Sequence, residues 1–521
     1  MEMYRTTTTT TNTTTTTDKR PHIFAVANLA YRIIFEQNTG CSIIVTGESG
    51  SGKTEASKLL LLFLSHVFRM NNQQQPSLEI ENVVDIAIKS NCILESFGNA
   101  MTICNDNSSR FGKFSEISFV RDDVQPDDHH QNYHYSFGTI HDYLLEKCRV
   151  IGQQEGERNF HCFYQMLSVL NSQKYGHLFF EFDVLDIDVN SYDYLNGSSK
   201  SQIHTQDELN FEQVFDSMLA IGFDYEEIRS IYKVLAAILV LGNIRFTLLQ
   251  QCSDEEFGDY KNALNFLDRE FLEKFCQFLS LDFHNTLLTL CSRLIRTPNE
   301  SVRKSYDHRQ AIQSRDAMAK ALYNNLFGYI LKRINVRLKL EKERTVADDD
   351  RPLRIDTIGI LDIYGFEVFE KNKNGKNGFE QFMINYSNEK LHQLFIDSIM
   401  KKEQSLYEQE DICWKKIDFE DHQVICQIYR GIFAILDEIC ATVGTHQHDD
   451  SRFLKFLGHH FKDDRHFRIQ KDDFGFIINH FDGEVQYTID GFVEKNLNQL
   501  YHDHYELIQT TTNPFVEGKK K

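Results

Sequence analysis

The sequence predicts an α/β fold with large helical additions, and three stretches carry that prediction. CSIIVTG (41–47) is a short apolar, β-branched run ending in glycine, the pattern of a buried parallel strand. KTEASKLLLLFLSHVF (53–68) follows as a helix. TIGILDIYG (357–365) is a second buried-strand run closed by a glycine, and between them 211–240 and 308–338 carry long helical patterns. Strands alternating with helices give a sheet covered by helices.

Taken in order, the chain opens with a threonine run at 6–17, interrupted only by Asn12. Such a tract has nothing apolar to bury, so residues 1–20 are expected to be a disordered tail, with structure beginning near Pro21. RDDVQPDDHHQNYH (121–134) and the charged stretch around EKERTVADDDRP (341–352) read as surface-loop inserts. No 20–50-residue repeat or sustained heptad is present.

With 521 residues the chain can bury a large core, and its net charge of −20 argues against nucleic-acid binding. The 11 cysteines are scattered singly and odd in number, and no signal peptide precedes them. They are therefore expected to be reduced thiols in a cytosolic protein, most of them small core residues. The longest apolar runs, such as VLAAILVL (234–241), are too short to span a bilayer, so a soluble protein is expected.

The strand at 41–47 runs into Gly47-x4-Gly52-Lys53-Thr54, the G-x-x-x-x-G-K-[ST] pattern of a phosphate-binding loop (P-loop). Glycines let backbone N–H groups turn inward around phosphate oxygens, and the helix that starts at Lys53 adds its positive end. Gly47, Glu48, Ser49, Gly50, Ser51, Gly52, Lys53 and Thr54 are the candidate nucleotide-binding residues. Lys53 would reach the β- and γ-phosphates, and the Thr54 hydroxyl would ligate Mg²⁺. The loop alone does not separate a kinase, a transporter ATPase, a GTPase and a motor.

Two further motifs make that separation. NDNSSRFGKF (105–114) sets adjacent serines beside an arginine, ahead of the strand FSEISF. DIYGFE (362–367) has the Asp-x-x-Gly spacing of a γ-phosphate sensor. In an open sheet both would sit at the carboxyl ends of strands, beside the phosphate loop. There an Asp can hold a metal-bound water, a Gly N–H can sense the γ-phosphate, and an Arg and a Glu on separate loops can latch the site.

With these motifs in hand, the chain resembles a myosin motor domain. PHIFAVANLAYR (21–32), ILESFGNAMTICNDNSSRFGKF (93–114), GERNFHCFYQML (156–167) and LAAILVLGNIRF (235–246) are similar to family segments in family order. So are RDAMAKALYNNLF (315–327), IGILDIYGFEVFE (358–370) and NGFEQFMINYSNEKL (377–391). Kinesins share the fold logic, but their sensor loops read SSRSH and DxxGSE. The resemblance, from about Pro21 to about Phe515, implies a P-loop NTPase core with a mostly parallel, twisted mixed sheet and large helical insertions.

It further implies an Mg²⁺-dependent ATPase that binds filamentous actin in the cytoplasmic actin cytoskeleton, with ATP and Mg²⁺ as ligands. Ser109 would be the second protein ligand of Mg²⁺, and Asp362 would bind the metal through water. Ser108 would contact the lytic water, and Asn105 and Asn107 would touch phosphate or support their loop. The Gly365 N–H would meet the γ-phosphate, while Arg110 and Glu367 would form the ion pair that closes the pocket.

The implied organisation is the tail (1–20), a P-loop nucleotide-binding core with the upper cleft (21–366), and a relay helix with the lower, actin-binding cleft (367–521). Leu391, Leu394, Phe395, Ser398, Ile399 and Leu406 follow helical spacing, so 385–407 reads as one amphipathic helix, facing the core or serving as the relay. Trp414, the single tryptophan, falls where the family's relay loop carries one, or is a packing aromatic. The implied actin face comprises 431–461, Glu300 and the basic GKKK at 518–521.

Nothing before Pro21 resembles the family's N-terminal barrel, adenine-contacting loop or first two strands. The chain stops at the basic loop, ahead of the converter, and contains no light-chain-binding motif. The resemblance therefore implies a head incomplete at both ends, with an unpaired sheet edge and force generation in doubt. A non-motor actin- or nucleotide-binding remnant and an inactive truncated product are the other two readings.

Overall fold

The computed structural model describes residues 22–34, 39–71, 78–122, 133–182, 185–200, 202–246, 266–296, 301–345, 353–369, 375–442, 449–470, 474–497 and 500–510. The threonine tail, Glu300 and the terminal 518–521 run lie outside these residues. So do 123–132 and 346–352 of the two inserts expected as loops; the margins of those inserts are regular strand and helix.

Two compact units are formed, one from Met1–Val45, Gly50–Ile363 and Leu500–Lys521, the other from Thr46–Ser49 and Tyr364–Gln499. The first begins with helix α1 (Ile23–Arg32), strand β1 (Cys41–Val45), and helices α2 (Lys53–Asn71) and α3 (Leu78–Gly98). Two-residue strands β2 (Asn99–Ala100) and β3 (Ser108–Ser109) pair antiparallel and fold the loop between them back on itself. β4 (Gly112–Asp122) and β5 (Tyr133–Tyr143) follow as an antiparallel pair.

The helical insertion then runs α4 (His161–Ser168), α5 (Gly176–Phe179), α6 (Thr205–Ile221), α7 (Tyr225–Gly242), α8 (Phe266–Leu279) and α9 (Phe283–Cys291). The hairpin β6 (Ser292–Arg296) and β7 (Ser301–Ser305), the long helix α10 (His308–Thr345) and β8 (Leu353–Asp362) complete it. The 211–240 pattern is two helices, because Asp224 starts α7 with a reciprocal cap: its carboxylate accepts the Glu227 N–H at 2.8 Å, and Glu227 accepts the Asp224 N–H at 3.0 Å. Residues 234–242 of α7 are all buried, so the second half of this helix is apolar on every side.

The main sheet has the order β1-β8-β4-β5. β1 and β8 are parallel, but β8–β4 and β4–β5 are antiparallel, which corrects the mostly parallel sheet expected above. The alternation in FSEISF specifies a strand without specifying its direction, and β4 runs against both neighbours. The 105–111 loop precedes β4 and lies at its amino end, and because β4 is antiparallel to β8 that end sits beside the carboxyl end of β8, with Lys113 opposite Asp362.

β1 ends the sheet among the described residues. Cys41, Ile43 and Val45 pack against the cluster of α1, α2 and β8, whereas Ser42 and Ile44 are exposed, Ile44 by 40%. The expectation of a fully buried strand is corrected, since an apolar run reads alike in an inner and an outer strand. None of the ten described cysteines is in a disulfide; four are buried, four half-buried and two exposed, fewer in the core than expected. No described helix is long and apolar enough to cross a membrane.

The second unit contains α11 (Phe379–Phe395), a π turn over Ile396–Lys401, α12 (Lys402–Gln409), α13 (Gln423–Thr442) and α14 (Asp449–His460). An antiparallel meander follows, β9 (Phe467–Gln470), β10 (Gly475–His480) and β11 (Gly483–Thr488), then α15 (Phe492–Asn496). Its core is aromatic: Phe382 lies 4.5 Å from Tyr429, 5.4 Å from Tyr487 and 5.7 Å from Phe476, centroid to centroid.

Helix α16 (His502–Gln509) belongs to the first unit, where Leu507 and Ile508 join the helical core. Its His504 is fully buried, with Nε2 2.8 Å from the Ser314 hydroxyl, and burial holds the imidazole down at about 4. An unfolded histidine titrates near 6.5. The unfolded chain therefore binds the extra proton between these values, and stability falls as pH drops from about 6.5 towards 4, by up to ~3 kcal/mol from this residue. Urea unfolding at pH 7 and pH 5 checks this: His504→Gln is expected to have the shallower pH dependence, and equal slopes would remove His504 as the cause.

Candidate functional site

The phosphate loop leaves β1 and enters α2. Gly50 (φ +81°) and Gly52 (φ +85°) both adopt the left-handed conformation that side chains other than glycine's adopt only with strain. At Gly52 an added Cβ would meet nothing within 4 Å, so the conformation rather than crowding demands glycine. The loop is exposed at Gly47, Glu48 and Gly50–Gly52, and its first helical hydrogen bond is from the Ala56 N–H to the Gly52 carbonyl at 2.9 Å. Preceding amides in such a first turn have no helical acceptor, and anions bind there.

Register brings the second motif under this loop. Val45 at the end of β1 lies opposite Asp362 at the end of β8, and Asp362 is opposite Lys113 near the start of β4. Asp362 is buried and accepts a hydrogen bond from the Thr54 hydroxyl. Burial raises its carboxyl above the ordinary range, against the opposing pull of Lys113, Thr54 and Lys53. Lys53, Thr54 and Asp362 are thus gathered in one place.

Lys113 is buried as well and donates to Asn91 Oδ1 at 2.8 Å; burial lowers its ammonium while the Asp362 carboxylate opposes that shift. The sequence reading gave Lys113 no role. Its signal is a lone lysine inside a strand motif.

The 105–111 loop is held by its own asparagines. Asn105 Oδ1 accepts the Asn107 N–H at 3.1 Å, and Asn105 Nδ2 donates to the Asn107 carbonyl at 3.3 Å. The Asn107 side chain accepts from Asn99 Nδ2 at 3.0 Å and contacts His161 Nε2 at 3.2 Å. Its Nδ2 donates to Glu95 Oε2 at 3.3 Å, and the other Glu95 oxygen pairs with Lys58 of α2 at 2.8 Å. A Cβ on Gly50 would lie 3.9 Å from Asn105 Cβ, so this loop adjoins the phosphate loop.

Ser109 donates to the Phe111 carbonyl at 2.8 Å, which leaves its oxygen lone pairs to accept or ligate. Ser108 is buried and accepts from Arg110 Nη1 at 3.2 Å. Arg110 is itself buried, and its Nε donates to Glu146 Oε2 at 2.6 Å, a partner the sequence reading missed. The two arginines Arg110 and Arg149 hold the Glu146 carboxyl at about 2, overcoming its burial.

In the second unit, Glu48 bridges Phe366 in parallel pairing, so the start of the phosphate loop lies beside Gly365–Glu367. Gly365 and Glu367 are buried. Asn385 of α11 holds Glu367 on both sides: its Oδ1 accepts the Glu367 N–H at 2.9 Å and its Nδ2 donates to the Glu367 carbonyl at 2.8 Å. Asn388 Nδ2 donates to the Tyr364 carbonyl at 3.1 Å, fixing the other flank of Gly365.

The donor set fits a magnesium ion with a nucleotide. The Thr54 hydroxyl and the buried Asp362 carboxylate it bonds are oxygen donors of the kind a magnesium ion takes, few enough to leave most of its shell to water and phosphate. No cluster of three or more His, Cys, Asp or Glu suited to a metal occurs among the described residues.

Comparison with known proteins decides the family: the Myosin head (motor domain) family matches residues 1–518. The chain belongs to the myosin head family. It is 36% identical to unconventional myosin-Id of Danio rerio and 37% identical to that of Homo sapiens, each over 96% of this chain and 47% of the relative. Unconventional myosin-Ig of Homo sapiens is 37% identical over 96% of this chain and 48% of its own length. The chain spans about half the length of these curated relatives.

In this myosin head, the stretch expected as one helix over 385–407 starts earlier, at Phe379, and is interrupted by the π turn at Ile396–Lys401. The interruption turns the helix face. Leu394, Phe395, Ser398, Ile399 and Leu406 are exposed and Leu391 is half-buried, whereas the buried positions of the stretch are Asn385, Asn388, Glu389, Gln393, Ile396 and Gln404. The apolar stripe therefore does not face the core. Trp414 is half-buried and packs edge-on against Tyr407 at 5.8 Å. The 431–461 stretch forms α13 and α14, and the loop between them at 443–448 lies outside the described residues.

Proposed function

We propose that this chain binds Mg-ATP in its phosphate loop, hydrolyses it, and couples the nucleotide state to binding of filamentous actin. The observation that carries this reading is the Thr54 hydroxyl bonded to the buried Asp362 carboxylate at the mouth of α2, in a chain of the myosin head family. Lys53 and the amides of 47–54 hold the β- and γ-phosphates. Thr54 and Ser109 would supply hydroxyl ligands to magnesium, and Asp362 would hold it through water. Magnesium, when bound, neutralises charge developing on the transferred phosphoryl.

Asn105 and Asn107 keep the serine loop in shape, and Ser108 orients the lytic water. The Gly365 N–H meets the γ-phosphate, and Arg110 and Glu367 pair behind the water to close the site. α13 and α14 supply an actin-contacting surface, and Glu300 and the basic 518–521 run, outside the described residues, are further candidate actin contacts from their sequence, which would place the protein on the cytoplasmic actin cytoskeleton.

Measured on the purified chain, Mg-ATP hydrolysis is expected and is expected to rise with filamentous actin. Absence of both nucleotide binding and turnover would sink the proposal. Binding without turnover would favour a second reading, a non-motor module; the observation on its side is the exposed Ile44 on the outer strand that feeds the loop.

A further inference from the structure

We propose that Glu146 is a positioning residue for hydrolysis: it clamps Arg110 so that the guanidinium is aimed at Ser108. The proposal rests on the ATPase reading above and extends it to a residue outside the three nucleotide motifs.

The clamp is made twice. The Glu146 backbone N–H donates to the Arg110 carbonyl at 2.9 Å, and the Glu146 carboxylate accepts Arg110 Nε at 2.6 Å. Arg110 is fixed from the other side as well, its N–H donating to the Gly98 carbonyl at 2.8 Å. With Nε held, the plane of the guanidinium is set, and Nη1 points at the Ser108 oxygen 3.2 Å away. A planar fork with one edge anchored has little freedom left in its other edge.

The anchor is itself anchored. Glu146 Oε2 also accepts Arg149 Nε at 2.8 Å, and Arg149 reaches Glu157 at 2.9 Å and the Arg158 carbonyl at 3.0 Å. The Arg110, Arg149 and Glu157 side chains are at most 3% exposed and that of Glu146 is 11% exposed, so solvent does not loosen the array. The backbone supports it at a cost: Leu144, two residues before Glu146, sits at φ +56°. Strain of this kind in a non-glycine residue persists where surrounding structure imposes it.

A merely structural ion pair is the alternative, and Arg158–Asp207 provides the comparison: 2.7 Å apart, each side chain 4% exposed. The test measures thermal stability, affinity for N-methylanthraniloyl-ATP, and steady-state ATP turnover in wild type, Glu146→Gln, Glu146→Asp and Asp207→Asn. Glu146→Asp keeps the charge but withdraws the carboxylate, and covers the case in which Glu146→Gln does not fold. Both Glu146 variants are expected to bind the analogue within about threefold of wild type while kcat falls about tenfold or more. Asp207→Asn is expected to lose stability with kcat within about threefold. In Arg110→Ala, adding Glu146→Gln is expected to change kcat no further.

Equal kcat losses in the Glu146 and Asp207 variants, or losses that multiply with Arg110→Ala, would overturn the positioning role. If the wild-type chain binds no nucleotide and shows no turnover, the ATPase reading fails separately. The clamp is then read from a crystal structure of Glu146→Asp: a guanidinium turned away from Ser108 supports it, and one in its present orientation overturns it.

Discussion

Arg110→Ala and Glu367→Ala are each expected to lower ATP turnover by roughly 10²–10⁴-fold, with ATP affinity changed only a few-fold. Removing one partner of a buried ion pair costs ~3–5 kcal/mol, and where the pair exists only in the closed state that cost falls on the barrier. The two variants differ in stability. Arg110→Ala takes away the 2.6 Å partner of Glu146 and the donor to Ser108, so it lowers the unfolding midpoint as well. Glu367→Ala keeps both Asn385 bonds, which run to the Glu367 backbone, and loses the 3.4 Å contact from Gln381 Nε2. Single-turnover kinetics with a parallel binding titration checks the split. Wild-type turnover in either variant would remove the latch from the mechanism.

The parts of the site that the sequence announces are those whose chemistry depends on neighbours in the chain. Gly50 and Gly52 are required by their own backbone angles, and Lys53 and Thr54 follow at once on the helix they start. Glu146 is different. It reaches Arg110 across 36 positions because the β4–β5 pair returns the chain to Gly112 opposite Tyr143, and no local pattern encodes that return. The only trace is a carboxylate with an arginine at i+3, Glu146 and Arg149, flanked by apolar residues on both sides.

Asn385 is hidden for a related reason: an asparagine on a helix is usually solvated, and only the fold shows it binding both polar groups of Glu367. Strand direction and rank in the sheet are equally non-local, which is why β4 and β1 departed from expectation. The stripe through Leu394, Phe395 and Ile399 illustrates a further limit. Apolar periodicity finds a helix face, but not whether the chain itself covers that face.

Gly475→Ala is expected to cost the second unit ~3 kcal/mol or more. A Cβ at this position would lie 2.1 Å from the Tyr487 carbonyl oxygen and 3.1 Å from its carbon. These are backbone atoms of the paired strand, where Gly475 lies opposite Thr488 and Phe476 opposite Tyr487, so no rotamer change can relieve the clash. The strands must separate, and Tyr487 must move with β11. Its hydroxyl is 2.9 Å from His480 Nε2 and accepts Asn385 Nδ2 at 3.0 Å, the same amide that holds the Glu367 carbonyl. The methyl is therefore expected to loosen the Glu367 loop as well as to destabilise the meander. Trp414, the only tryptophan and part of this unit, reports its unfolding by fluorescence. A midpoint lowered by many degrees, with reduced turnover even at temperatures where the variant stays folded, is the expected pair of results. An unchanged midpoint would mean that β10 and β11 can open at Gly475 without cost, and that Tyr487 does not transmit strain to Asn385.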